Sequence, residues 1–218
     1  MSSIRIVCIS DTHGQHAKLN VPDGDVLIHA GDFAAFGDTP IEVIDFNQWL
    51  GTLLHRYKVV IAGNHDCMFE RHPGAARELL TNVIYLENSG TELAGLKIWG
   101  SPVQPEFNNW AFNVARGAAI RRYWKMIPED TDVLITHGPP YGILDTAHPI
   151  TAYLGCEELA NTVEQIKPRL HVFGHIHGGH GQLKANGTQF VNASVVNEAY
   201  QLVHAPQVFE IDVSLEKE

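Results

Sequence analysis

Five stretches of the chain, residues 4–10, 26–30, 58–62, 132–136 and 170–174, are nearly continuous in apolar residues and do not alternate with polar ones. Runs of this kind suit strands buried on both faces. Helical patterns lie between them. Thr39-Pro40-Ile41-Glu42 offers a cap, a proline at the first helical position and a capping-box acid, and Val43, Phe46, Leu50, Leu53 and Leu54 follow on one stripe. Residues 75–80 suggest a shorter helix, Ile120, Tyr123, Trp124 and Ile127 form another stripe, and Leu159, Val163 and Ile166 a further one that Pro168 ends.

Beyond Gly174 the pattern becomes short strands with turn signals. Residues 182–184 and 189–191 flank the Asn186-Gly187 hairpin signal, and 208–213 is a further strand. Residues 83–100 also read as short strands around Asn88-Ser89-Gly90 and Ala94-Gly95. Alternating strands and helices followed by extra strands predict an α/β fold, a four-layer α/β/β/α sandwich of two mixed β-sheets flanked by helices. Residues 100–117, rich in Pro, Asn and aromatics, read as a long loop of the kind that carries function.

With 218 residues, 44% of them hydrophobic and 18% charged, the chain is expected to form one domain over residues 1–218. No apolar stretch approaches the roughly 20 residues that cross a bilayer, and the short run at the start flows directly into a motif, unlike a secretory signal. Cys8, Cys67 and Cys156 have no paired spacing, which suits a reducing, cytoplasmic compartment. A formal net charge of -10 leaves no basic surface for a nucleic-acid polymer, and a small-molecule partner is expected instead.

The candidate chemistry sits at the ends of the five apolar runs. Asp11-Thr12-His13, Gly31-Asp32, Gly63-Asn64-His65-Asp66, Thr136-His137-Gly138 and Gly174-His175-Ile176-His177 each place a metal-capable side chain there. In alternating α/β proteins the loops leaving the carboxyl ends of strands converge, so these segments are expected to meet. Carboxylate, imidazole and amide donors without thiolate suit divalent Mn, Fe, Zn or Ni. A pair of ions needs a bridging acid, and Asp32 is the natural bridge.

The order and wording of these motifs, from Asp11 to His177, resemble the calcineurin-like metallophosphoesterase superfamily. Trp99-Gly100-Ser101-Pro102, Asn109-Trp110-Ala111-Phe112 and Thr136-His137-Gly138-Pro139-Pro140 are similar to its branch of small metallophosphoesterase-domain proteins with cyclic-nucleotide phosphodiesterase activity. The resemblance implies two divalent ions, the first held by Asp11, His13, Asp32 and His177, the second by Asp32, Asn64, His137 and His175. Some relatives in this branch carry Gly in place of His177; this chain keeps the His, so full metal loading is expected.

The implied reaction is hydrolysis of a phosphodiester, a cyclic or small nucleotide, by a metal-bridging hydroxide. His65 would sit over the phosphate and assist the leaving group. Asp66 either orients that imidazole or ties the loop backbone together. Asn109 and Trp110 are candidate substrate contacts, since an aromatic beside a phosphate site suits a base. Phe112 is expected in the core.

Phosphomonoester hydrolysis on the same metal core and a non-catalytic binding scaffold are the alternatives. A protein phosphatase is disfavoured, because Gly31-Asp32-Phe33 is not followed by Asp-Arg-Gly and the third motif ends in Asp66 in place of Glu. His29 and His171, inside strand runs, read as core histidines, and Cys67 as a small buried residue beside the site. His16, His55, His72, His148 and His204 have no ligand-like context, and His180 reads as a loop residue.

Overall fold

The computed structural model describes residues 2–37, 39–147 and 152–213; His148 lies outside them. In chain order the elements are β1 (Ser2–Ile9), β2 (Val26–His29), α1 (Pro40–Thr52), β3 (Tyr57–Val60), α2 (Cys67–Arg71), α3 (Pro73–Leu79) and β4 (Ile84–Tyr85). Then come β5 (Ser89–Leu93), β6 (Leu96–Ser101), β7 (Gln104–Pro105), β8 (Asn113–Val114), α4 (Ala118–Trp124), β9 (Val133–Thr136), α5 (Glu157–Ile166), β10 (Leu170–Phe173), β11 (Gly181–Ala185), β12 (Thr188–Asn192) and β13 (Gln207–Val213).

Two mixed sheets carry the fold, one ordered β13-β1-β2-β3-β4 and the other β11-β12-β10-β9-β6-β5. The continuous apolar runs divide their side chains between the two faces of each sheet. Ile6 and Cys8 of β1 and Val26 and Ile28 of β2 meet Val133, Ile135, Leu170 and Val172 of the other sheet in a core between the sheets. Val7, Ile9 and Leu27 point outward onto Val43, Phe46 and Leu50 of α1. Leu134 and Phe173 point outward onto Ile120 and Trp124 of α4 and Leu159 and Val163 of α5. The result is the expected α/β/β/α sandwich.

Some details depart from the sequence pattern. Helix α1 ends at Thr52, so Leu53 lies just past it and Leu54 is exposed, off the apolar stripe. Its capping box does not form. Thr39 makes no side-chain cap, and Glu42 instead accepts hydrogen bonds from the backbone N–H groups of Ala35, Phe36 and Gly37, holding the loop that precedes the helix. The segment from 100 to 117 is not structureless, since β7 and β8 pair in parallel within it. Asn113 closes it further: Oδ1 accepts from Phe107 N–H, and Nδ2 donates to the carbonyls of Phe107 and Asn108.

Candidate metal centre

Strands β1, β2 and β3 run parallel in one sheet, and β9 and β10 run parallel in the other. Their carboxyl ends therefore deliver all five motifs to one rim, where backbone bonds first join neighbouring strand ends within each sheet. Asp11 N–H donates to the Gly31 carbonyl, His13 N–H to the Asp32 carbonyl and Gly174 N–H to the His137 carbonyl. Across the sheets, His175 N–H meets both Asp11 carboxylate oxygens at 3.1 Å.

Tight turns are needed to bring the side chains inward. Asp11, His13, Asp32 and His175 all adopt positive φ, between 42° and 65°, a backbone state that costs non-glycine residues about 1–3 kcal/mol each and gathers at functional sites. Gly63 is forced by proximity. A Cβ there would lie 2.5 Å from Asp32 N and 2.6 Å from His137 Cε1.

The metal-capable atoms converge in three overlapping sets, Asp11/His13/His177, His13/Asp32/His65 and Asp32/His137/His175, within which the atoms lie no more than 4.8 Å apart. Asp32 joins the two halves: its Oδ2 is 3.9 Å from His13 Nε2 and 3.4 Å from His137 Nε2. Its Oδ1 accepts from His65 N–H. Asn64 Oδ1 lies 2.8 Å from His137 Nε2.

Ring nitrogens facing away from the cluster fix the tautomers. A carbonyl only accepts, so His137 Nδ1 donates to the Ala30 carbonyl at 2.9 Å and His177 Nδ1 to the Asn197 carbonyl at 3.1 Å. In the neutral rings their Nε2 atoms then point inward with a lone pair: His177 Nε2 is 3.4 Å from His13 Nε2 and 3.7 Å from Asp11 Oδ1. Acceptors converging in a buried space require a cation at their centre.

Without a metal, protons partly fill that need. Burial opposes a charge on His137, but Asp32 and Asp11 outweigh it and raise its pKa to about 9. Burial also opposes the Asp32 charge, yet His137 and His13 hold its carboxyl well below the usual carboxylate range. Asp11 is held at about 2 by His177 and His137 despite its burial. His175, pushed to about 3 by burial, is neutral and free to coordinate. Divalent ions fit the same donors better, because carboxylate, amide oxygen and imidazoles anchored through Nδ1 are the ligand set and orientation that such ions select.

His65 and Asp66 separate in role. The two Asp66 oxygens accept from the backbone N–H groups of Asp32, Ala34 and Gly63. Asp66 as the partner orienting the His65 imidazole is thus corrected: His65 Nδ1 donates to the Ala35 carbonyl at 2.9 Å instead. Trp110 stacks on the His65 ring, centroids 4.2 Å apart. Asn109 is exposed and does not line the pocket, because the loop turns it outward while Ala111 and Phe112 are buried on the outer face of the first sheet. Two bonds pin that loop beside the cluster, Ala111 N–H to the Asn64 carbonyl and Phe112 N–H to Glu70.

Of the other histidines, His29 and His171 are fully buried, and each shares a hydrogen bond with a threonine beside the cluster, Thr12 and Thr136. His16 is buried against Asp45, and His180 stacks on His204. Cys67 is buried and faces the Asn64 carbonyl. Tyr200, which no sequence pattern marks, meets the rings of His13 and His177 edge-on at 4.8 and 5.3 Å. Glu106, Phe107 and Arg116 of the 100–117 segment, together with Glu198, line a pocket of about 380 Å³ opening onto His65, His175 and His177.

A four-layer sandwich with Asp, Asn and His converging at the carboxyl ends of both sheets defines a metallophosphoesterase, and the chain belongs to the calcineurin-like phosphoesterase family, whose model matches residues 4–179. The enzyme class is hydrolase, in a family that binds divalent metals. The chain is 46% identical to human "Metallophosphoesterase domain-containing protein 1" over 95% of its own length and 71% of that protein. It is 41% identical to Caenorhabditis elegans "UPF0046 protein C25E10.12", over 96% of this chain and 82% of that one. Among solved structures, a phosphopantetheinyl hydrolase from Mycobacterium tuberculosis shares the fold, with TM-score 0.64 and 16% identity over 89% of this chain and 90% of that one. Among the described residues no helix is long and apolar enough to cross a membrane.

Proposed function

We propose that the protein is a dinuclear phosphodiesterase acting on a cyclic or small nucleotide. The observation that carries this reading is the stack of Trp110 on His65 beside Asp32, at the mouth of a pocket large enough for a small ligand. Asp11, His13, Asp32 and His177 hold one ion and Asp32, Asn64, His137 and His175 the other, with Mn, Fe, Zn or Ni as candidates. When bound, such a pair lowers the pKa of water toward neutrality and offsets the charge of a phosphate.

The chain's own groups do the rest. Asp32 offsets the repulsion between two cationic positions. The Ala30 and Asn197 carbonyls keep His137 and His177 in the tautomer that presents Nε2. With Nδ1 committed to Ala35, His65 meets the substrate through Nε2 and assists departure of the leaving oxygen. Trp110 and Tyr200 exclude water and offer ring faces to a base, where one stack is worth about 1–3 kcal/mol. The cytoplasmic location belongs to the same proposal, supported by cysteines, Cys8, Cys67 and Cys156, that are all buried and form no disulfide among the described residues.

Assay of the metal-loaded protein on 2′,3′- and 3′,5′-cyclic nucleotides, bis-p-nitrophenyl phosphate and p-nitrophenyl phosphate tests the reading. Turnover of the diesters above the monoester is expected. Monoester preference would replace the reading with a phosphomonoesterase, and no turnover with any of the candidate metals would replace it with a binding scaffold.

A further inference from the structure

Beyond the metal cluster, the pocket has a charge pattern that nothing in the chemistry of diester cleavage requires. Its wall is mainly aromatic and apolar, with Phe107 and Trp110 from the loop around β7 and β8, and Tyr200 from the loop before β13. Two carboxylates, Glu106 and Glu198, also line it, and both residues are exposed to the pocket's solvent. Glu198 Oε1 lies against Gly178, next to His177, so its charge is close to the reacting end.

Arg116 is the one lysine or arginine among the described lining residues, and it already has a carboxylate partner. Its Nη1 donates to the Gly155 carbonyl at 2.8 Å and to Glu157 Oε2 at 2.6 Å, and its Nη2 donates to the Leu154 carbonyl at 2.9 Å. The guanidinium therefore straps the segment before α5 to the pocket wall, with its charge matched by Glu157. The sequence of residues 148–151, His-Pro-Ile-Thr, contains no lysine or arginine either.

Resting on the reading of the site as a nucleotide phosphodiesterase, we infer that Glu106 and Glu198 make the pocket select substrates with a single phosphate group, rejecting nucleotides that carry a second phosphate on the arm away from the scissile bond. The scissile phosphate meets the cationic end of the pocket. A second phosphate would have to lie among aromatic rings and two carboxylates, with no lysine or arginine among the described lining residues that lacks a carboxylate partner, and like charges brought together without partners are how sites reject a competing ligand. The consequence is an enzyme for free mononucleotide esters. Phosphorylated nucleotides and polymer ends are excluded by charge and not by size.

Two chromogenic diesters with the same scissile bond test this: thymidine 5′-(p-nitrophenyl phosphate) and the same compound with a 3′-phosphate. At low salt the metal-loaded enzyme is expected to prefer the first in kcat/KM by about tenfold or more, through KM, and raising the salt to 0.5 M should narrow the ratio, since exposed charges are screened. In the double variant E106Q/E198Q the ratio should fall to about threefold or less. Equal kcat/KM for the two esters in the wild type would overturn the inference. So would a preference that salt leaves unmoved, a measurement that needs no variant, or an unchanged ratio in a folded E106Q/E198Q. Turnover of bis-p-nitrophenyl phosphate alongside equal kcat/KM for the thymidine pair removes only the charge selection. No turnover of any diester removes the reading of the site, and this inference with it.

Discussion

His65 is the residue on which cleavage should depend while metal binding does not. Its Nδ1 is committed to Ala35 and its ring is clamped by Trp110, so the imidazole is oriented whether or not ions are bound. His65→Ala should retain the bound metal of the wild type by elemental analysis yet lose about 10²–10⁴ in kcat; an unchanged rate would take His65 out of the reaction. Two other histidines should govern stability. His29 and His171 are buried, and burial lowers both to about 3. The unfolded chain, with His near 6.5, takes up protons that the folded chain refuses. Their contribution is present above pH 6.5 and is lost as pH falls toward 3, by about 1.4 kcal/mol per pH unit for each group. Urea denaturation of the metal-free protein at pH 7 and 5.5 should show that loss, and equal stabilities would contradict it. The sequence showed these residues clearly, because a His inside an apolar run or beside a glycine at its end has few other reasons to be there. Tyr200 was hidden, because an aromatic in a polar loop has no periodicity to mark it, and only its left-handed backbone, φ 57°, turns it over His13 and His177.

At the scale of elements, strands and helices were legible where burial imposes a period, and loops were not. The runs over residues 4–10, 26–30 and 132–136 read as two-faced strands because both faces pack. The capping-box motif at Thr39 and Glu42 misled, since the three N–H groups of the preceding loop draw the Glu42 carboxylate away from the helix start. That loop includes Ala35, the anchor of His65. Glu42→Ala should therefore leave three backbone donors without this acceptor, lower stability by about 1–3 kcal/mol and reduce kcat more than it weakens metal binding. Full activity with wild-type melting would show the loop needs no such tie. The pairing of β7 with β8 was also illegible, because two-residue strands carry no pattern. It is Asn113 and the anchors of Ala111 and Phe112 that give the segment its shape. Gly63→Ala should damage the centre itself: the added carbon meets Asp32 and His137, and overpacking of this kind costs about 1–3 kcal/mol. Metal affinity should fall with it, as read by titration calorimetry, and unchanged affinity would mean the turn can yield.

In the whole molecule, each sheet supplies only part of the centre. Asp11, His13, Asp32 and Asn64 come from the β1-β2-β3 side and His137, His175 and His177 from the β9-β10 side. The apolar core between the sheets sets their spacing, and the contact of His175 with Asp11 closes the seam. Alternating strands and helices made this convergence predictable, since parallel strands send their carboxyl ends to one rim. What sequence could not give was the distance between the strand ends of the two sheets, on which the proposed sharing of Asp32 depends. Titrating Mn²⁺ into metal-free protein, with bound metal counted and hydrolysis of bis-p-nitrophenyl phosphate followed on the same samples, measures that sharing. Activity should appear only as the second ion fills, saturating at about two ions per chain, and Asp32→Asn should hold fewer ions and lose at least about 100-fold in rate. Full activity at one ion per chain, or an Asp32→Asn variant that keeps both ions and the wild-type rate, would contradict a shared two-metal centre.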